Sequence, residues 1–247
     1  MCRLSVRLLG PFRAVMDGEE VTGFRSDKVR ALLAYLVVES GTPHRRERLA
    51  GLLWPDRPER SARADLRVAL ANLRQVLGDH EATPPFLLIS RQTLQFNQAS
   101  DAWIDVESLE SLSQAGQPTD ELMEEAVDLY RGEFMTGLSL PDSPPFEEWA
   151  LLTREQLHRL VMETLQSLAN SLEERGEYER SLVYAWRQVD LDPWREAAHR
   201  QVMRLLAQSG QRSAALAQYQ LCRQVLQKDL GVDVSEQTRQ LYEELER

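Results

Sequence analysis

The sequence predicts a mainly α-helical protein with a small amount of β-structure, divided into two consecutive domains. Three observations support this prediction. The chain has 247 residues, and a domain usually holds about 100–200 residues. Short strand patterns occur before residue 98, whereas long amphipathic helices dominate after it. The net charge of −10 is also divided unevenly, because residues 1–98 carry +4 and residues 99–247 carry −14.

The first domain is expected to begin with short strands. Residues 4–9 and 12–16 contain the alternating apolar and polar side chains of strands with one buried face. The Asp17-Gly18 pair is a turn signal, and a third short strand is expected at residues 20–21.

Three helices are predicted next. Ser26 is a suitable N-cap for the first helix, which stops at Gly41. The second helix covers residues 45–53 and the third covers residues 60–77, and both carry leucines at helical spacing.

A hairpin completes this domain. Residues 86–90 and 93–97 are predicted strands joined by a tight Arg91-Gln92 turn. Strands, three helices and a terminal hairpin form the element order of a winged helix-turn-helix, in which the hairpin is the wing. We therefore assign residues 1–98 to a winged helix-turn-helix domain.

The second domain, residues 99–247, is predicted to be all-α. Its helical segments lie near residues 105–114, 119–132, 146–175, 178–191, 194–208, 212–229 and 235–246. The one irregular stretch is 135–145, which contains three prolines.

An internal repeat identifies the type of helical domain. Two aligned segments begin at Gly176 and Gly210, which lie 34 residues apart, and this is the period of a TPR unit. Glycine fits the tight turn between paired helices, and the small residues Ser181 and Ala215 allow those helices to approach closely. The second domain is therefore predicted to be TPR-like.

The third helix carries the pattern that indicates function. With 100° per residue, its leucines form one buried stripe, and four arginines occupy an arc of about 60° beside that stripe. These arginines are Arg60, Arg63, Arg67 and Arg74. A helix fits the major groove of DNA, and the guanidinium fork matches both phosphate oxygens and guanine edges. Arg63 and Arg67 are the predicted base contacts, and Arg74 is the predicted backbone contact.

The ordinary explanation for such arginines on an isolated helix is a solvated face that pairs with nearby acids. The short helix before them and the hairpin after them favour DNA instead. Arg45 and Arg46 open the second helix, which crosses the DNA backbone in this architecture, so they are predicted phosphate contacts. Arg91 lies at the wing tip and is expected to enter a minor groove or hold a phosphate.

Other classes of protein are disfavoured by what the sequence lacks. It contains neither a G-x-x-x-x-G-K-[ST] phosphate loop nor a G-x-G-x-x-G motif, and its four histidines have no metal-ligand spacing. No enzyme activity, catalytic residue, cofactor or metal is therefore predicted. Because the mean hydropathy is −0.43 and no long apolar run occurs, we expect a soluble, cytoplasmic protein without a membrane partner. Cys2 and Cys222 are expected to be free thiols.

Several motifs carry a family resemblance. In the first domain they are Arg30-Ala-Leu-Leu-Ala-Tyr-Leu36, Leu49-x-x-Leu-Leu-Trp54-Pro-Asp56 and Ala64-x-Leu66-x-x-Ala69-Leu70-x-x-Leu73-Arg74-x-x-Leu77-Gly78. In the second they are Leu129-Tyr-Arg-Gly-Glu-Phe134, the TPR-like pair and Asp229-Leu-Gly-Val-Asp233. Residues 4–98 resemble the OmpR-type winged helix as it occurs in the SARP group (Streptomyces antibiotic regulatory proteins). Residues 101–247 resemble the bacterial transcriptional activator domain that follows it.

The resemblance implies a transcriptional activator that binds promoter DNA sequence-specifically, often at direct repeats, and recruits RNA polymerase holoenzyme to weak promoters. It also implies that polymerase contacts lie in the loop after the second helix, at Trp54, Pro55, Asp56, Arg57 and Glu59. Self-association on DNA is left open. The alternative is a TPR-like protein-interaction adaptor without DNA binding of its own, since TPR arrays bind peptides and an acidic half favours a basic partner.

Overall fold

The computed structural model describes residues 4–113, 116 and 118–247 of the chain. The chain divides into two compact units: unit 1 combines Met1–Gln114 with Asp128–His158, and unit 2 combines Ala115–Val127 with Arg159–Arg247. Unit 1 thus contains residues from both sides of the boundary that we predict after residue 98. Cys2 lies outside the described residues.

Unit 1 contains the predicted strands, three helices and hairpin in the predicted order. Its elements up to residue 113 are β1 (Leu4–Arg7), β2 (Gly10–Pro11), β3 (Arg13–Met16), β4 (Glu19–Glu20), α1 (Asp27–Val38), β5 (His44–Arg45), α2 (Arg46–Leu53), α3 (Glu59–Val76), β6 (Leu87–Ile89), β7 (Thr93–Phe96), β8 (Ala102–Ile104) and α4 (Asp105–Ser113). The winged helix-turn-helix is therefore confirmed as the fold of this part, with β2, β5 and β8 as additional short strands.

A four-stranded sheet has the strand order β4-β3-β1-β8, in which β1, β3 and β4 precede the helices and β8 follows the wing. Its β3–β4 turn contains Asp17 at φ 50° and Gly18 at φ 91°, and two positive φ angles are what a two-residue hairpin turn requires. Strand β8 pairs parallel to β1, with Leu4 opposite Ala102. This strand lies in the region that we predicted to be all-α, and it joins that region to the N-terminal sheet.

The wing belongs to a separate three-stranded sheet with the order β5-β7-β6. In this sheet His44 pairs with Leu94 and Arg45 pairs with Thr93. Because β5 leads directly into α2, this pairing places the first residues of α2 beside the tip of the wing.

Helices α1 and α3 supply much of the core around the wing. Helix α3 buries Leu66, Leu70 and Leu73, which are leucines of the predicted stripe. Its one buried amide, Asn72, accepts a 2.9 Å hydrogen bond from the Arg25 N–H and donates a 3.1 Å bond to the Gly23 carbonyl. This amide therefore fixes α3 against the segment that leads into α1, since a buried polar group needs such partners.

Residues 128–158 complete unit 1. They include β9 (Phe134–Thr136), and α5 (Asp120–Leu129) and α6 (Pro144–Glu174) each contribute residues to both units. The Trp149 ring lies 4.9 Å from the ring of Tyr35 and 5.3 Å from that of Phe146, measured between centroids. Its Nε1 donates a 2.9 Å hydrogen bond to Glu39 Oε1. The start of α6 is thus packed onto α1.

Unit 2 consists of paired helices, as the repeat predicts. They are residues 120–127 of α5, the part of α6 after residue 158, α7 (Tyr178–Leu191), α8 (Glu196–Gln208), α9 (Arg212–Asp229) and α10 (Glu236–Glu246). Gly176 and Gly210 have φ of 74° and 76° in the turns before α7 and α9, and Ser181 and Ala215 are fully buried. The TPR-like fold is therefore confirmed. Cys222 is a buried free thiol, and burial raises its pKa to about 12.

Candidate nucleic-acid interface

Helix α3 presents one buried face and one basic face. The buried side consists of Ala62, Leu66, Ala69, Leu70, Asn72 and Leu73, while Arg60, Arg63, Ala64, Arg67, Val68 and Ala71 are exposed. The helix starts after Pro58, carries Glu59 in its first turn and Arg74 in its last, and Gly78 follows at φ 55°. These charges suit the helix dipole, and a positive φ ends the helix. The exposed arc of arginines is thus anchored by the buried leucines beside it.

A cleft of about 380 Å³ brings together four of the predicted arginines. It lies between the start of α2, the middle of α3 and the tip of the wing. The residues that line it are Arg46, Glu47, Arg63, Leu66, Arg67, Arg91 and Gln92. Three separate segments therefore direct guanidinium groups toward one opening, and Glu47 is the acid among the lining residues. We refer to this opening as the arginine cleft.

Arg46 connects the start of α2 to the wing. Its backbone N–H donates a 2.9 Å bond to the Gln92 carbonyl, and its Nε and Nη2 donate to the Ser90 carbonyl at 3.2 and 3.0 Å. Burial lowers the pKa of Arg46, and the positive charge of Arg67 lowers it further. Two guanidinium groups therefore repel each other inside the arginine cleft, which favours an anion beside them.

Arg67 and Arg60 extend the basic surface along α3. The Nε of Arg67 donates a 3.3 Å hydrogen bond to the carbonyl of Arg63, one turn earlier. A second opening of about 360 Å³ lies along the same helix and is lined by Glu59, Arg60, Arg63 and Arg67. Arg63 and Arg67 line both openings, so these two arginines occupy the centre of the basic surface.

Arg63 is paired with acids. Its Nη2 lies 2.7 Å from Glu47 Oε1 and 2.5 Å from Glu59 Oε1. The explanation of a basic face that pairs with acids therefore applies to this arginine. All three side chains are well exposed, and exposed ion pairs contribute only about 0–1 kcal/mol. A phosphate can therefore replace either carboxylate at small cost.

Arg74 is used within the fold. Its Nε donates a 2.9 Å hydrogen bond to Asp79 Oδ2, and its Nη2 lies 3.0 Å from Nδ1 of His80. The other oxygen of the buried Asp79 accepts a 2.9 Å bond from the N–H of Leu87, the first residue of β6. Arg74 thereby fixes the base of the wing, and it does not line the arginine cleft. Arg45 is exposed in β5 but also lies outside the residues that line this cleft.

The loop between α2 and α3 has a defined structure. The ammonium of Lys28 lies 5.3 Å from the centroid of the half-buried Trp54 ring, and it donates a 2.7 Å bond to the Leu53 carbonyl. The Ser143 hydroxyl donates to the same carbonyl at 2.7 Å. Further along the loop, Arg57 pairs with Asp65 at 3.1 Å. The predicted polymerase contacts divide into two groups here: Trp54 and Pro55 are half-buried, and Asp56, Arg57 and Glu59 are exposed.

Sequence reasoning missed Glu47 and Gln92 as parts of the site. Glu47 reaches Arg63 across 16 residues of chain, and no local pattern encodes that distance. A weak signal existed, because Glu47 stands between Arg46 and Arg48 at the start of a helix that was expected to approach DNA. Gln92 contributes its carbonyl, which any residue at that position in the wing turn would supply.

Comparison with known proteins identifies the class of protein. Residues 104–246 match the family model of the bacterial transcriptional activator domain. The chain is 29% identical over 238 residues, 92% of its length, to "Regulatory protein AfsR" of Streptomyces coelicolor. Over 86 residues, 35% of its length, it is 36% identical to "Transcriptional regulatory protein EmbR" of Mycobacterium tuberculosis. It spans 22% of the length of each of these relatives.

A solved structure shares the fold of the chain. Mycobacterium tuberculosis EmbR, in complex with a low affinity phosphopeptide, superposes with a TM-score of 0.72 at 24% identity. The match covers 100% of this chain and 66% of the other. Among the described residues, no helix has the length and apolar character needed to cross a membrane.

The family model and the relatives together define the class of protein, since the matched domain is that of bacterial transcriptional activators and the relatives bear the names of regulatory proteins. The chain belongs to the family of the bacterial transcriptional activator domain, in the SARP-type group of regulators.

Proposed function

We propose that this activator binds promoter DNA sequence-specifically, with α3 in the major groove and the wing against the adjacent backbone, and that it recruits RNA polymerase. The arginine cleft is the observation that carries this proposal. Four guanidinium groups from α2, α3 and the wing line one opening of about 380 Å³. The major groove of a DNA duplex is wide enough for a helix and is bordered by negatively charged phosphates. A helix with arginines around one opening is complementary to that surface.

Electrostatic repulsion within the cleft supports DNA as the ligand. Burial lowers the pKa of Arg46, and the positive charge of Arg67 lowers it further, so an anion beside these two cations is favoured. A phosphate group relieves this repulsion and accepts charge-assisted hydrogen bonds from both side chains. Release of counterions from the duplex adds a further favourable contribution.

The arginines take different roles in this proposal. Arg67 and Arg60 are exposed at the middle and start of α3 and contact base edges or the phosphates beside them. Arg63 joins them when a phosphate replaces its carboxylate partners. Arg45 and Arg91 contact the backbone on either side of the groove, and Arg46 holds the wing in place as well as lining the cleft.

Arg74 contributes through the fold, because its guanidinium is bound to Asp79 and His80. All DNA contacts in the proposal fall within residues 1–98, and the activator domain is residues 99–247. Binding at direct repeats and self-association of bound copies would follow from tandem occupation of such sites.

Polymerase recruitment is assigned to the exposed part of the α2–α3 loop. Asp56, Arg57 and Glu59 are exposed there, and Arg57 is held by Asp65. Because the loop precedes α3, a partner bound to it would lie beside the DNA that α3 contacts. Trp54 and Pro55 support the loop from beneath, since both are half-buried.

The experiment that tests the proposal compares two arginine variants. Duplexes are first selected from random DNA with the full chain, and affinities for the selected duplex are then measured between 50 and 200 mM salt, where DNA affinities change steeply. Arg67→Ala should weaken binding by about 1–3 kcal/mol, the value of a base contact, or reduce the salt slope by about one unit if it contacts phosphate. Arg159→Ala is the matched control, because Arg159 is also an exposed helical arginine.

The outcome separates DNA reading from a protein-adaptor role. We expect the log–log salt slope of the parent chain to be several units, at about −0.9 per phosphate contact. The control should bind like the parent, since it loses the same charge outside the arginine cleft. An affinity that is unchanged by Arg67→Ala, or that is independent of salt, would contradict the proposal and favour the adaptor.

A further inference from the structure

Val68 is an apolar side chain on the exposed side of helix α3. It lies in the middle of α3, directly after Arg67, and 58% of its surface is exposed. Neither packing nor helix formation explains it, because its side chain is not buried in the core and β-branched residues form helices less readily than alanine or lysine.

The neighbours of Val68 extend its apolar character along the helix. Residues spaced by three, four and seven positions share a helix face, and here these are Ala64, Ala71 and Gln75, all exposed. The resulting strip is small and uncharged, and Arg60 and Arg67 lie beside it on the same exposed side of α3. Its apolar part lies within the basic surface, and we call these three positions the methyl strip (residues 64, 68 and 71).

The base edges of DNA offer one apolar group to such a strip. In the major groove adenine, guanine and cytosine present hydrogen-bond donors and acceptors, and thymine adds a 5-methyl group. Valine cannot satisfy a cytosine amino group, and covering that group without a partner costs free energy. Contact with the thymine methyl instead removes apolar surface of both partners from water.

We infer that Val68 is a specificity-determining residue that packs against the 5-methyl group of a thymine in the major groove, next to the base or phosphate contacted by Arg67. This inference rests on the proposed DNA-binding function and refines it. Because the side chains of Ala64 and Ala71 are short, the helix can approach the bases closely. The methyl groups of Val68 can then reach the 5-methyl group of the thymine. The bound sequence therefore contains a thymine that is recognised through its methyl group.

The experiment removes the 5-methyl group of thymine and the two γ-methyl groups of Val68, first separately and then together. The full chain is used to select duplexes from random DNA, and each thymine of the selected duplex is replaced singly by deoxyuridine, which pairs identically but lacks the 5-methyl group. Affinities of the parent, Val68→Ala and Val183→Ala are measured for every duplex. Val183 is the matched control, since it is a 61% exposed valine in helix α7.

At one or two thymine positions, we expect deoxyuridine to weaken binding of the parent by about fourfold, the value of one buried methyl group. Val68→Ala should bind the unmodified duplex more weakly by a similar factor and should lose little more at those positions. The Val183→Ala variant should respond to deoxyuridine like the parent. Such non-additivity, confined to particular positions, is the signature of direct contact.

Equal deoxyuridine effects in the parent and in Val68→Ala at every position would overturn the inference while leaving DNA binding by the arginines intact. The same conclusion would follow if no thymine were sensitive to the replacement. If Val68→Ala bound all duplexes normally but failed to activate transcription, the residue would instead contact a protein. Absence of salt-dependent binding to any duplex would refute the proposed function itself, which is a separate outcome.

Discussion

The guanidinium of Arg63 in α3 lies 2.7 Å from the carboxylate of Glu47 in α2, so the two side chains form an ion pair between these helices. Glu47 also lines the arginine cleft, where it reduces the positive potential that a duplex meets. A phosphate that enters must displace it. On the proposed function, Glu47 should weaken binding to any DNA backbone, and contacts to the correct bases should offset this cost.

Replacing this acid should strengthen nonspecific binding. We expect Glu47→Gln to raise the affinity for random duplex DNA by about three- to tenfold at low salt, because a repulsive charge is removed from the cleft and Arg63 is released. Affinity for the selected duplex should rise less, so that the ratio of specific to nonspecific binding falls. Both are measured by titration of labelled duplexes at matched salt.

Glu179→Gln provides the control for this experiment. Glu179 is an exposed acid of α7, and its replacement changes the net charge of the chain by the same amount. If both variants gain the same affinity for random duplex DNA, the effect comes from overall charge. The specific effect of Glu47 on the arginine cleft would then be wrong.

Arg74 should behave as a stabilising residue rather than a DNA contact. Its partner Asp79 has a side chain that is only 1% exposed, and this carboxylate also binds the N–H of Leu87. Arg74→Ala leaves a buried charge without its cation, so we expect the free energy of unfolding to fall by about 2 kcal/mol. Urea denaturation checks this, with Arg67→Ala expected to stay within about 0.5 kcal/mol of the parent. Normal stability of Arg74→Ala combined with weak DNA binding would restore its predicted phosphate role.

The local features of this protein could be predicted from sequence, because each depends on residues that are close along the chain. The leucine stripe and the arginine arc of α3 follow from helical periodicity alone. The glycines at 176 and 210 need positive φ in the turns between paired helices, and their spacing reveals the repeat.

Long-range pairings could not be predicted in the same way. Arg46 reaches the carbonyl of Ser90 across 44 residues, and Arg63 reaches Glu47 across 16. Strand β8 has only three residues, which is too short for an alternating pattern to stand out. Its parallel pairing with β1 depends on the tertiary fold. For this reason the sequence did not predict that unit 1 extends beyond residue 98.

The buried imidazole of His199 should make unit 2 sensitive to acid. Its Nε2 lies 2.9 Å from the Pro193 carbonyl and its Nδ1 lies 2.7 Å from Nε2 of Gln218. A neutral ring that donates from Nε2 and accepts at Nδ1 satisfies both partners, whereas a protonated ring confronts the amide with a second donor. Burial lowers the pKa of His199, so the neutral form is favoured in the folded state.

The sign of the effect follows from this direction. The pKa of an unfolded histidine is about 6.5, and the folded value is lower. The contribution of His199 to stability is therefore complete above about pH 6.5 and is lost as the pH falls through the folded pKa. Hydrogen exchange of residues 196–229 should show faster opening at pH 5.5 than at pH 7.5, after correction for intrinsic exchange rates. This pH dependence should be smaller in His199→Gln, and an equal dependence in both proteins would exclude His199 as the source.

Trp149 should stabilise the winged-helix part of unit 1 although it lies 51 positions after residue 98, the predicted domain boundary. Its ring packs against Tyr35 of α1 and its indole N–H binds Glu39 at the end of that helix. Trp149→Ala removes a large half-buried ring and this hydrogen bond, so we expect a loss of about 2–4 kcal/mol in the free energy of unfolding of unit 1. Hydrogen exchange of α1 is the measurement that locates the loss, with exposed Trp194 of unit 2 replaced by alanine as the control. Unchanged protection of α1 in Trp149→Ala would show that residues 1–98 hold their fold without the segment that begins α6. Loss of that protection would instead mean that the winged-helix fold of residues 1–98 depends on residues beyond the predicted boundary.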